Sequence, residues 1–119
     1  SPMKMNENNA GLEAEKLAAT FLAERGLKLV TQNYHCRFGE IDLIMKEGKT
    51  LVFIEVKLRS NSNFGGAISS ITPQKQQKLI LTAQHYLQQH AETACRFDAI
   101  LMNKANLQSI EWVRNAFET

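Results

Sequence analysis

The chain has 119 residues, 44% of them apolar and 22% charged, with a formal net charge of +2. That is enough for one hydrophobic core and too little for a second, and the apolar content excludes a disordered chain. A balance this near neutral does not identify a nucleic-acid binder by itself, although it leaves room for a local basic patch.

Cys36 and Cys95 lie far apart and form no metal-type cluster, which points to a reducing, cytoplasmic setting rather than a disulfide scaffold, with a lone bridge left open. No apolar run reaches membrane-spanning length and no signal-peptide core follows the polar start, so no membrane partner is expected. Ser1 and Pro2 ahead of Met3 read as the remnant of a tag. Residues 1–10 are expected to fray, ahead of one domain over residues 11–119.

From Leu12 to Arg25 an apolar stripe of Leu17, Ala18, Phe21 and Leu22 recurs at helical spacing, with Asn9 as an N-cap and Gly26 as a stop. Leu27 to Tyr34 reads as an extended segment. Ile41–Lys46 and Thr50–Leu58 are two strands joined by Glu47-Gly48-Lys49. In the second, Val52, Ile54, Val56 and Leu58 point one way, and Phe53, Glu55, Lys57 and Arg59 the other. Apolar residues on both faces predict a central strand covered on both sides. A polar loop follows from Ser60 to Ser70, with Gly65-Gly66 inside it. Thr72-Pro73 supplies a cap and a first helical residue for a helix from Pro73 to about His90, buried through Leu79, Ile80, Ala83, Tyr86 and Leu87. Arg96–Met102 and Ile110–Val113 complete the set as strands around a turn at Asn103–Gln108. The order is α-β-β-β-α-β-β.

Three charges stand in the two most hydrophobic strands: Asp42, Glu55 and Lys57. If Glu47 pairs with Thr50, or a four-residue loop runs from Glu47 to Thr50, Asp42 falls opposite Glu55 on one face, whereas a three-residue loop with a bulge would shift the match. Lys57 shares the face of Glu55 whatever the turn does. Facing carboxylates destabilise a sheet unless something compensates, and a divalent cation, Mg²⁺ or Mn²⁺, is the obvious compensator. Such a cation polarises a phosphodiester, with Lys57 as base or as electrostatic partner. The competing account is a cross-strand ion pair on a solvated face. Phe53 beside Glu55 and Ile44 beside Asp42 imply partial burial, where charges need partners or a ligand.

Around this centre, Arg37, Arg59, Gln74, Lys75 and Lys78 are candidate DNA contacts, and the loop of residues 60–70 has the composition of an element that closes over DNA. His35, His85 and His90 are too scattered for zinc, His85 being expected to be exposed. Asp98 is expected to act structurally, pairing with Arg96 or capping a backbone group. Trp112 is expected in the core or a dimer interface, and Phe64 as a loop anchor.

The runs GEIDLI and VFIEVKLR, with Gly11, Glu15 and Ala18, Asn33-Tyr34, Arg37, Phe64-Gly65, Lys75 and Arg96-Phe97-Asp98, resemble the YraN-like family of small bacterial proteins. That family is similar to the restriction-endonuclease-like, PD-(D/E)xK superfamily, and particularly to archaeal Holliday junction resolvases. The resemblance implies a mixed central sheet flanked by helices, with Asp42 and Glu55 as metal ligands and the Val56 carbonyl as a further one. It implies Lys57 as the catalytic lysine and Glu15 as a helix-borne acid joining the site. It further implies a metal-dependent endonuclease acting on branched DNA, as a homodimer, without a nucleotide cofactor. The name-giving proline is absent, since Ile41 precedes Asp42. Two other readings stand beside this one: a non-catalytic DNA-processing accessory protein, and a protein-interaction module whose charged trio forms salt bridges.

Overall fold

Apolar alternation on the strands and two amphipathic helices require a sheet covered on each face, and the computed structural model, which describes residues 7–59 and 71–119, has that arrangement. In chain order it runs α1 (Glu7–Ala23), β1 (Lys28–Cys36), β2 (Gly39–Glu47), β3 (Thr50–Arg59), α2 (Pro73–His90), β4 (Cys95–Asn103) and β5 (Asn106–Val113). The strands lie in the order β1-β2-β3-β4-β5. Only β3 and β4 run parallel, with α2 between them in the chain; the other neighbours are antiparallel. The expected order and the mixed, helix-flanked sheet are therefore those observed.

Each face has its own core. Ala14, Ala18 and Leu22 of α1 pack on Leu43, Met45, Val52, Ile54, Ile100 and Met102. Leu79, Ala83 and Tyr86 of α2 pack on Ile41, Ile44, Leu51, Phe53, Phe97 and Ala99 on the other side. β3 contributes to both cores, which is why it reads as apolar on both faces. Thr72 Oγ1 accepts the Lys75 N–H at 3.1 Å, so α2 starts where its Thr-Pro signal says. Among the described residues, no helix is long and apolar enough to cross a membrane.

Several boundaries differ from the sequence reading. α1 begins at Glu7, so Asn9 lies within the helix instead of capping it, and it ends at Ala23 rather than at Arg25. β5 starts at Asn106, inside the stretch expected to be a turn, because Asn103 Oδ1 accepts the Ala105 N–H at 2.7 Å and closes the turn early. The polar loop with Phe64 and Gly65-Gly66 lies outside the described residues.

Two features of β2 position the site. At one end, Glu47 pairs with Thr50, and the tight turn uses Gly48 at φ +60°, where a side chain would be strained. The register then runs regularly to Leu43 with Ile54, and there it stops. β2 continues along β1 to the Cys36–Gly39 pair, while β3 continues along β4 to Arg59–Asn103. The sheet forks. Opposite the point of divergence, Asn33 of β1 adopts a left-handed φ of +52° and drops out of the ladder between Gln32 and Tyr34. Alternation breaks at the same place: Ile41 and Ile44 both join the α2-side core, with Asp42 between them.

Candidate functional site

A cavity of about 230 Å³ opens in this fork. Gly11, Ala14 and Glu15 of α1, Glu40 and Asp42 of β2, Glu55, Val56, Lys57 and Leu58 of β3, and Lys75 of α2 line it. At about 30 Å³ per water, it has room for an ion and several waters.

Asp42 sits at the branch point. The register expected from the turn is present, but Asp42 is not a ladder partner of Glu55, because the strands have parted one residue earlier. Its Oδ2 instead accepts the Val56 N–H at 2.8 Å, so a side chain closes the gap that the backbone leaves. Burial, and next the charge of Glu55, push the Asp42 carboxyl up to about 8, against the pull of the Val56 N–H.

Glu55 is buried, at 7% exposure, and its Oε2 lies 3.0 Å from Lys75 Nζ. Burial works against the Lys75 charge, but the hydrogen bond and charge of Glu55 outweigh it, and Asp42 and Glu40 add to them, so the net shift is upward. Glu15 enters from α1. Asn33 and Asp42 approach its carboxyl, yet Oε1 is buried with no hydrogen-bond partner. Burial raises its pKa, the contacts with Asn33 and Asp42 offset part of this, and Glu40 and Glu55 raise it further. Lys57 lines the same cavity and, among the described residues, forms no ion pair.

Of the residues singled out from sequence, the fork brings together Glu15, Asp42, Glu55, Val56, Lys57 and Lys75. Arg37 is exposed at the β1–β2 turn, its guanidinium 4.8 Å above the Phe38 ring. Arg59 turns to Glu111 at 3.8 Å, at the far end of β3. Gln74 and Lys78 are exposed on α2 and do not line the cavity. Opposite this part of α2, Gly39 has φ +151°, and a Cβ there would crowd Thr82 Oγ1 at 3.3 Å. Among the described residues, no three His, Cys, Asp or Glu side chains form a ready-made metal cage. The acids share one cavity, but Asp42 is committed to Val56 and Glu55 to Lys75.

The sequence reading missed Glu40, which lines the cavity and pairs with His35 Nε2 at 2.9 Å. Period-two spacing from Asp42 was the available signal. It also missed Asn33, whose tolerance of left-handed backbone is the only hint the chain gives. His85, expected to be exposed, is half-buried with Nδ1 2.6 Å from the Tyr34 hydroxyl. Asp98 pairs with Arg96 Nε at 3.0 Å and accepts the Asn115 N–H at 2.9 Å.

The chain matches the model of a family described as "Uncharacterised protein family UPF0102" over residues 14–102. It is 55% identical over 107 residues to a "UPF0102 protein" of Methylobacillus flagellatus, covering 90% of this chain and 95% of that one. The protein NE0719 of Nitrosomonas europaea is 54% identical over 111 residues, covering 92% and 94%. The protein lpp3065 of Legionella pneumophila is 53% identical over 112 residues, covering 91% and 93%. The family match runs from Ala14 within α1 to Met102 within β4, and so takes in every residue of the fork from Ala14 onward.

Proposed function

The chain belongs to the UPF0102 family, and from that premise we propose that the fork is a divalent-metal centre for hydrolysing DNA phosphodiesters, with structured or branched DNA as substrate. The observation that carries this reading is an excess of carboxylate: Glu15, Asp42 and Glu55 face one cavity against Lys57 and Lys75, with Glu40 at the rim paired to His35. Two further observations support a missing cation: the unpartnered buried Glu15 Oε1, and the Asp42 carboxyl, raised to about 8 by burial first and by the charge of Glu55 second. The donors are all hard oxygens, which suit Mg²⁺ or Mn²⁺ and not a thiophilic metal. The helix-flanked mixed sheet, resembling a restriction-endonuclease-like core, supports the same reading by analogy.

Asp42 and Glu55 would hold the cation, with the Val56 carbonyl as a third donor and Glu15 closing the site from α1. The cation supplies Lewis-acid charge for attack of water on a phosphodiester. Lys57 lines the same cavity, where as an ammonium it would neutralise the attacked phosphate, or as the neutral amine it would take a proton from the incoming water. Asp42 keeps its Val56 contact as it releases its proton, so activity should rise toward pH 8. Arg37, Arg59, Gln74, Lys75 and Lys78 remain the candidate DNA contacts, and paired cuts across a branched junction call for a homodimer.

The test is cleavage of branched, flap and linear DNA with and without Mg²⁺ or Mn²⁺, beside Asp42→Asn and Lys57→Ala. Metal-dependent cleavage that falls about 10²–10⁴-fold in each variant is expected. No cleavage of any substrate with either metal contradicts the reading. One observation favours a second reading, a DNA-processing protein that binds without cutting: Glu55 is already neutralised by Lys75. On that reading Asp42→Asn binds branched DNA as tightly as the wild type, and metal changes nothing.

A further inference from the structure

Glu55 is a buried carboxylate whose side chain is only 8% exposed, yet its ion-pair partner comes from outside the sheet. Lys75 belongs to the first turn of α2, its side chain 45% exposed, and it reaches inward to set Nζ 3.0 Å from Glu55 Oε2. This is a poor place for a lysine by local rules. The first turn of α2 carries no acidic residue, and a cation beside a helix N-terminus is disfavoured by the helix dipole. Local misfits of this kind persist where the residue serves the site and not the helix.

We propose that Lys75 is a tethered counterion that stands in for the divalent cation at Glu55, so that metal and lysine compete for one carboxylate. The inference rests on the metal-centre reading above and adds a control on it. A divalent cation sits about 2.1 Å from a ligand oxygen. Two cations sharing one buried carboxylate at these distances repel strongly, because little water screens them. The lysine stem has freely rotating bonds and half of it is in solvent, so withdrawal needs no movement of the backbone. Lys57 carries the same charge in the same cavity but has no such pair among the described residues, and it can coexist with the metal.

Metal-free protein is titrated with Mn²⁺ by calorimetry at pH 8, for the wild type, Lys75→Met, Lys75→Gln, Lys75→Arg and Lys57→Met. Binding about 5- to 50-fold tighter than wild type is expected for Lys75→Met and Lys75→Gln. Lys75→Arg, which keeps the charge, should stay near the wild type, and Lys57→Met should gain less than Lys75→Met. If the wild type binds Mn²⁺ and neither neutral variant at Lys75 binds it more tightly, the counterion role falls while the metal centre stands. Equal gains in Lys57→Met and Lys75→Met also overturn it, since charge alone would then explain both. If neither the wild type nor any variant binds Mn²⁺, the metal centre and the counterion fall together.

Discussion

The two ends of the β2–β3 hairpin gather the same kinds of charged group in opposite proportion. At the turn end, Glu47 Oε1 accepts from Arg96 Nη1 at 2.7 Å and from Arg114 Nη2 at 2.9 Å. Beside it, Asp98 accepts from Arg96 Nε, from the Trp112 indole at 2.9 Å and from the Asn115 N–H. Two acids meet two guanidinium groups, and the hydrogen bonds from Arg96 and then Arg114 hold the Glu47 carboxyl below its usual range. At the fork end, Glu40 pairs with His35 at the exposed rim while Glu15, Asp42 and Glu55 share the cavity with two lysines; Asp42 rises to about 8, and a Glu15 oxygen is left without a partner. Arg96 Nη2 is also buried without a partner, but each acid of the turn end is answered by a guanidinium. A surplus held in a cavity is what a ligand from outside would balance.

The matched end is the easier to break. Asp98→Ala leaves Arg96, the Trp112 indole and the Asn115 N–H without their acceptor, and the carboxylate it removes is 1% exposed. Urea unfolding should show a loss of about 3–5 kcal/mol. A loss below about 1 kcal/mol would mean that this cluster is not a clamp. Arg114→Ala tests the rim of the same cluster, where the guanidinium is 49% exposed and screened by solvent. It should cost about 0.5 kcal/mol at low ionic strength and close to nothing in 1 M salt.

Much of the matched geometry was legible along the chain. Glu47-Gly48-Lys49-Thr50 fixes the register, because only glycine takes the left-handed turn position without strain. Thr72-Pro73 fixes the start of α2, and with it the first-turn position from which Lys75 reaches Glu55. The order of elements and the two covered faces follow from the same local signals. The fork itself was not legible. Pairing logic carries Asp42 to Glu55 as a ladder pair, while the parting of β2 from β3 depends on Asn33 of another strand and on α1 above it. β5 was read too short because it is an edge strand with several exposed polar residues, where alternation carries little signal.

The central claim is that the fork buries a carboxyl beside other acids without compensating it within the chain, and Asp42, raised by burial first and the Glu55 charge second, reports it. Folded, its carboxyl keeps a proton up to about pH 8; unfolded, it releases the proton near 3.8. Between those values the folded state binds more protons, so its stability must fall as pH rises. The measurement is urea unfolding of the metal-free protein from pH 4 to pH 8, wild type beside Asp42→Asn, whose amide oxygen can still accept the Val56 N–H. Wild-type stability should fall, relative to the variant, by up to about 1.4 kcal/mol per pH unit. Parallel curves, or a wild type that gains on the variant as pH rises, would contradict the account.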